Sequence, residues 1–224
     1  MRPETDLLMF DLDGTIIDST GIYYEIVDVV MATLKLPPVG PEEIRRANRN
    51  GTFLWEKLFP ADHFAEHPEL KDEAWRIARR IAPEMFSRQV ELLPGAAETV
   101  KELVAGGRRA AIVTSTPAAN LAPKLKPLAE ARILDDFAAV ISADDTAKQK
   151  PSPDPLLECC RRLESDPRRA LYVGDTRIDI RAGKAAGCAT VGVLTGFDDR
   201  LMLAAEDPDL ILENLADPEP LLTL

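Results

Sequence analysis

The sequence predicts an α/β protein, a Rossmann-like parallel sheet core carrying an inserted α-helical cap. Three observations predict it. Short apolar runs recur along most of the chain, helical patterns lie between them, and residues 19–90 interrupt the alternation with helix alone. The expected core is therefore 1–18 with 91–224, and the expected cap is 19–90.

The run Leu7-Leu8-Met9-Phe10 ends in acids and Gly14 and reads as the first strand, although periodicity alone leaves a helix open there. Helical patterns follow at 19–35, 41–49, 52–59 and 69–89, punctuated by Pro37, Pro38, Pro41, Pro60 and Pro68. Leu92-Leu93-Pro94-Gly95 marks the return to the core. Strands are then expected at 110–113, 138–141, 170–173, 190–193 and 210–212, with helices at 95–106, 117–130, 153–164 and 177–186. In such a sheet, ligands collect outside the carboxyl ends of the strands. An insertion placed just after the first strand hangs over those ends, where a lid belongs.

Composition narrows the partners. A hydrophobic fraction of 46% in 224 residues supplies a sizeable core, and no apolar run approaches the roughly 18–20 residues of a membrane span. The formal charge of -11 repels nucleic acid and anionic membranes, so neither is an expected partner. It also repels a phosphorylated substrate, so such a substrate needs local positive charge at the site. Cys159, Cys160 and Cys188 show no metal or redox spacing and read as buried thiols, which fits a cytoplasmic protein. Nothing in the sequence sets an oligomeric state.

Four clusters carry chemistry. Asp11-Leu12-Asp13-Gly14-Thr15 follows the first strand, and at such a turn one carboxylate can face a ligand while the other swings towards a leaving group; a solvated acidic turn is the plainer alternative. Gly174-Asp175-Thr176-Arg177-Ile178-Asp179 repeats the pattern after 170–173. Acids from two strand ends form a hard-oxygen site suited to Mg²⁺, against the alternative of a capped helix start. Thr114, Ser115 and Thr116 offer hydroxyls and N–H groups to phosphate oxygens, or simply a helix cap. Lys150 opens Lys150-Pro151-Ser152-Pro153-Asp154, a cation at a rigid turn, or a solvated surface lysine.

Together and in this order, Asp-x-Asp-Gly-Thr, the strand-end Thr, Lys-Pro-x-Pro-Asp and Gly-Asp-x-x-x-Asp resemble the haloacid dehalogenase superfamily over nearly the whole chain. Gly183-Lys184-Ala185-Ala186-Gly187 is similar to that family's Ala-rich helix. The position of the helical insertion resembles the phosphoglycolate phosphatase and β-phosphoglucomutase branch. The resemblance implies a phosphatase that passes through an aspartyl-phosphate on Asp11, with Asp13 as general acid and base. It implies Mg²⁺ held by Asp11, the Asp13 carbonyl and Asp175, with Asp179 orienting that shell. It implies that Thr114 donates to the phosphate and that Lys150 pairs with Asp11 and the phosphate.

Asp13 argues against dehalogenation, which needs no proton donor, and against a catalytically idle phosphate-binding module. The mutase branch typically carries a His in the first cap helix, but Gly21-Ile22-Tyr23-Tyr24 has none. His63 and His67 read as exposed helix-end residues. Phosphonate hydrolysis needs a cap lysine, and no context marks Lys35, Lys57 or Lys71. Substrate choice belongs to the cap. There Arg49, with Arg45 second, is the expected contact for a further anionic group on a small phosphorylated metabolite, and phosphoglycolate is the first guess. Phe53 and Trp55 read as cap core.

Overall fold

The structure is a computed structural model that describes residues 4–49 and 52–224, with Asn48, Arg49 and Thr52 described in backbone only. Six strands form one sheet: β1 (Leu7–Phe10), β2 (Arg109–Val113), β3 (Phe137–Ile141), β4 (Ala170–Gly174), β5 (Ala189–Val193) and β6 (Leu210–Leu212). The order is β6-β5-β4-β1-β2-β3 and every pair is parallel. Each apolar run singled out in the sequence is a strand.

β1 shows why such runs lack polar alternation. Leu8 and Phe10 face Val100 and Leu103 of α5 (Ala96–Ala105) and Leu128 of α6 (Leu121–Glu130). Leu7 and Met9 face Leu156 and Cys159 of α7 (Asp154–Arg162) and Ala182 of α8 (Arg177–Ala186). A strand covered on both faces buries every side chain. Each is worth about 1.5–3 kcal/mol when fully buried, so the strand that carries Asp11 is firmly anchored. The segment after 196, which gave little in the sequence, adds α9 (Arg200–Ala204), β6 and α10 (Glu219–Leu222). It buries Leu203, Leu215 and Leu221.

The helical stretch has its own apolar cluster. α1 (Thr20–Thr33) lines up Ile22, Ile26, Val27, Val30 and Met31, and these meet Ala74, Ile77, Ala78 and Phe86 of α4 (Leu70–Gln89). Trp55 is buried in this cluster and Phe53 packs against it, as expected of core residues. The chain enters and leaves the stretch through an antiparallel ribbon in which Ile17 pairs with Leu92 and Asp18 with Glu91.

The middle of this stretch differs from the expected helices 41–49 and 52–59. α2 (Pro41–Ala47) stops early, Asn48–Arg49 pairs antiparallel with Thr52–Phe53, and Trp55–Lys57 forms a single 3₁₀ turn. An Asn-Gly pair between two short segments is a strong hairpin signal, which the helical reading passed over. Those two residues, Asn50 and Gly51, lie outside the described residues. A further short helix, α3 (Ala61–Glu66), also went unforeseen. His63 and His67 are exposed there and face each other at 4.8 Å between ring centres.

Candidate active site

The sheet order decides where the chemistry gathers. β1 lies between β4 and β2; the chain moves from β1 through β2 to β3 on one side, then crosses to β4 on the other. This reversal is a topological switch point, where α/β sheets open a crevice. Asp11 leaves β1, Thr114 leaves β2 and Asp175 leaves β4, all at the same edge. The strand ladder continues into the site through Asp11 N–H to Val173 O (2.8 Å) and Thr114 N–H to Ile141 O (2.9 Å).

Lys150, from the long loop after β3, is buried at the centre. Its Nζ donates to Asp11 Oδ1 (2.8 Å), Asp179 Oδ1 (2.6 Å) and the Tyr172 hydroxyl (2.8 Å). Tyr172 in turn donates to Val113 O (3.0 Å), with Asp179 Oδ1 also in reach at 3.1 Å. Burial opposes the charge on Lys150, but Asp11 and Asp179 hold it well above its usual range.

The other oxygen of Asp179 accepts from the N–H and hydroxyl of Thr176, the capping residue of α8. Thr176 therefore caps that helix, and Asp175 is left for the site. Both oxygens of Asp179 thus face protein donors, Lys150 and Tyr172 at one and Thr176 at the other.

Asp175 accepts from the Phe197 N–H (2.8 Å) and packs against Gly14 and Gly196. One carboxylate oxygen from each of Asp11, Asp175 and Asp179 lies within 4.8 Å of the others, and all three residues are buried. Burial pushes Asp11 up to about 7, with Lys150 acting against it and Asp179 and Asp13 adding to it. Burial also raises Asp175 well above the carboxylate range, with Asp179 and Asp11 next in effect. Three buried carboxylates thus face a single ammonium. That excess of hard oxygen donors and negative charge fits a small divalent cation.

Asp13 has a separate cation. Lys124 Nζ donates to both its oxygens (2.8 and 2.7 Å), to the Tyr23 hydroxyl (2.8 Å) and to Thr116 Oγ1 (3.0 Å). Thr116 Oγ1 donates to Asp13 Oδ2 (3.0 Å), and the Thr116 N–H donates to Thr114 Oγ1 (3.1 Å). Thr114 is buried, with its hydroxyl oxygen accepting from Thr116, while Ser115 is exposed. Burial and the Asp13 charge push the Tyr23 phenol up to about 12.

Of the residues singled out in the sequence, Asp11, Asp13, Thr114, Lys150, Asp175 and Asp179 converge. Arg45 stands apart from them, bound to the Tyr24 hydroxyl (3.3 Å) and Glu42 (2.8 Å). It lines a cavity of ≈ 230 Å³ with Gly196, Phe197 and Asp199. The Arg49 side chain lies outside the described residues. A more open depression of ≈ 330 Å³, lined by Thr146, Asp154, Leu157 and Arg161 among others, holds none of these groups.

Lys124, Tyr172, Tyr23 and Phe197 were not foreseen. Lys124 had a signal: it shares a helix face with Leu121, Leu125 and Leu128, so a lysine there turns inward. A tyrosine on a buried strand likewise needs a partner for its hydroxyl. Nothing local marked Phe197.

The family described as haloacid dehalogenase-like hydrolase matches residues 8–193. The chain belongs to the haloacid dehalogenase-like hydrolases. Phosphoglycolate phosphatases of Salmonella typhi and Escherichia coli K12 are each 34% identical to this haloacid dehalogenase-like hydrolase, over 96% of it and 91% of their own length. Its reaction class is phosphoric monoester hydrolysis. The crystal structure of a predicted phosphoglycolate phosphatase from Haemophilus somnus is 25% identical, covers 99% of both chains and superposes with a TM-score of 0.83. CbbY from Rhodobacter sphaeroides, solved in complex with phosphate, shares the fold at 22% identity and a TM-score of 0.76, over 95% of this hydrolase and 96% of CbbY.

Proposed function

We propose that this hydrolase cleaves a small phosphorylated metabolite, phosphoglycolate or a close relative, through a phosphorylated Asp11. The observation that carries this reading is the buried cluster of Asp11, Asp175 and Asp179 around Lys150 at the ends of adjacent strands. The cation would be Mg²⁺, and Asp11, Asp175 and the Asp13 carbonyl would hold it. When bound, it reduces repulsion between the nucleophile and the phosphate and orients them.

An Asp11 oxygen attacks phosphorus as the bond to the ester oxygen breaks, and that oxygen takes the electron pair and the proton of an Asp13 that enters the step in its acid form. The alcohol departs. Asp13 then takes a proton from water, whose oxygen attacks phosphorus; the bond to Asp11 breaks, its electron pair returns to the carboxylate, and phosphate leaves. Lys150 offsets charge on the transferring group and Thr114 donates to one of its oxygens, with Ser115 beside it.

Residues 19–90 serve as the cap over a core of 1–18 and 91–224. Arg45 is the described candidate for a second anionic group, and Arg49 keeps its place as the other. Among the described residues no helix is long and apolar enough to cross a membrane. The buried thiols of Cys159, Cys160 and Cys188, none in a disulfide, favour the cytoplasm, which cell fractionation would check.

The test is Asp11→Asn, nearly isosteric and therefore folded, assayed for phosphate release from a panel of phosphorylated metabolites. Turnover is expected to vanish; activity within about tenfold of the native enzyme is incompatible with a covalent role for Asp11.

A further inference from the structure

Lys124 is 3% exposed, on a helix of the core and in contact with an aromatic wall. Its Nζ lies 4.4 Å from the ring centre of Phe86 and 5.1 Å from that of Tyr23. A buried ammonium is tolerated only when it is paired. Its three protons have three partners: the Asp13 carboxylate, the Tyr23 hydroxyl and the Thr116 hydroxyl. No donor is left over for a substrate, so Lys124 is not a second anion-binding cation.

What it does instead follows from the acceptor side. Both oxygens of Asp13 are held by Lys124, and Thr116 holds one of them again. The carboxyl group is thereby fixed in rotation as well as in place. Asp11 and Asp13 are separated by a single residue, yet each has its own lysine, and the two lysines share no partner. Tyr23 brings the third connection. It belongs to α1, and its ring packs on Phe86 of α4 (5.3 Å) and on Phe197 (5.6 Å), whose N–H is bound to Asp175.

We propose that Lys124 is the positioning residue for Asp13, and that Tyr23 makes this positioning depend on the seating of α1 over the core. The proposal rests on the reading of Asp13 as proton donor and acceptor. A lysine acting only through a proton donor has a signature that a merely structural ion pair lacks. Its loss matters most when the leaving oxygen needs a proton.

The experiment compares phosphoglycolate, whose glycolate departs as an alkoxide unless protonated, with para-nitrophenyl phosphate, whose nitrophenolate departs as a stabilised anion. Both are assayed with the Mg²⁺-loaded enzyme. Lys124→Met is expected to lower kcat for phosphoglycolate by about a hundredfold or more. Its first turnover of para-nitrophenyl phosphate should stay within about fivefold of the native rate. A slow steady state should follow, because the same Asp13 must activate water. Nitrophenol release should therefore show a burst equal to the enzyme concentration. Tyr23→Phe should show the same pattern at smaller size. In an Asp13→Asn background, Lys124→Met should add nothing.

Equal losses on both substrates in the first turnover, a loss confined to KM, or full additivity with Asp13→Asn would each overturn the proposal. If Lys124→Met alone does not fold, the Lys124→Met/Asp13→Asn pair, which leaves no charge unpaired, and Tyr23→Phe decide it by the same criteria. A native enzyme that releases phosphate from no ester at all sinks the phosphatase reading itself, whereas an active native enzyme with the wrong variant pattern sinks only the role of Lys124.

Discussion

Asp175 owes its position to two residues without side chains. Gly14 has φ +72°, and a Cβ there would lie 2.6 Å from Asp175 Oδ2 and 3.0 Å from the Gly196 Cα. A Cβ on Gly196 would collide with the Asp175 carboxyl group. The first acidic loop and the loop after β5 thus close on one carboxylate from two sides, and any larger residue would push it out of the cluster. Gly14 was legible as a tight turn beside two acids; Gly196 was not, because its constraint comes from a residue 21 positions earlier. Arg45 presents the opposite case, a long side chain that reaches the cavity. Its guanidinium is held beside the cavity by Tyr24 and Glu42. If it binds a second anion, Arg45→Ala should raise KM for phosphoglycolate by about tenfold or more. The effect on para-nitrophenyl phosphate, which lacks that anion, should be much smaller. Steady-state kinetics on both substrates check this, and equal changes would refute the assignment.

At the scale of elements, the turn after β3 shows how Lys150 is carried inward. Ser142 caps the short 3₁₀ turn Ala143–Asp145, and Asp145 accepts from the Ser142 N–H (2.7 Å), the Ser142 hydroxyl (2.6 Å) and Arg162 of α7 (2.6 Å). The Ser142 hydroxyl and N–H, then Arg162, hold Asp145 down to about 2 from 3.8. A carboxylate with a lowered folded-state pKa stabilises fully above its unfolded value and loses that contribution as pH falls through the folded one. Asp145→Asn is therefore expected to be less stable than the native chain at neutral pH. In urea unfolding the gap should narrow from about pH 4 to about pH 2. A gap that stays constant or widens would contradict this. The elements themselves were unevenly legible. All six strands stood out as apolar runs, buried throughout in β1 and β4 and only in part in the edge strands β3 and β6. The small ribbon at Asn48–Arg49 and Thr52–Phe53 did not, because two-residue strands have no period to read and the neighbouring Glu42, Glu43, Arg45 and Arg46 suit a helix.

For the whole molecule, the formal charge of -11 and the buried acidic cluster act in the same direction. Lys150 brings one positive charge to three buried carboxylates, so a divalent cation bound there would link binding to stability. A ligand present at a hundred times its Kd stabilises by about 2.7 kcal/mol. In a chain of this size that raises Tm by about 5–10 °C. Mg²⁺ is accordingly expected to raise Tm, EDTA to abolish activity, and Asp175→Asn to shrink the Tm shift. A thermal scan with no response to Mg²⁺ would count against the assigned site. The convergence of four strand-end clusters was legible because a parallel sheet sends every carboxyl end to one edge. The second lysine was not, since its role depends on how α6 meets α1 and α4 in space. The seventy-odd residues between the two halves of the core leave and return on adjacent rungs, Ile17 beside Leu92 and Asp18 beside Glu91. The cost of closing such a loop rises only slowly with its length. Closure therefore tolerates change along the loop, whereas Tyr23 and Phe86, which pack on Lys124, tie two points within it to the core.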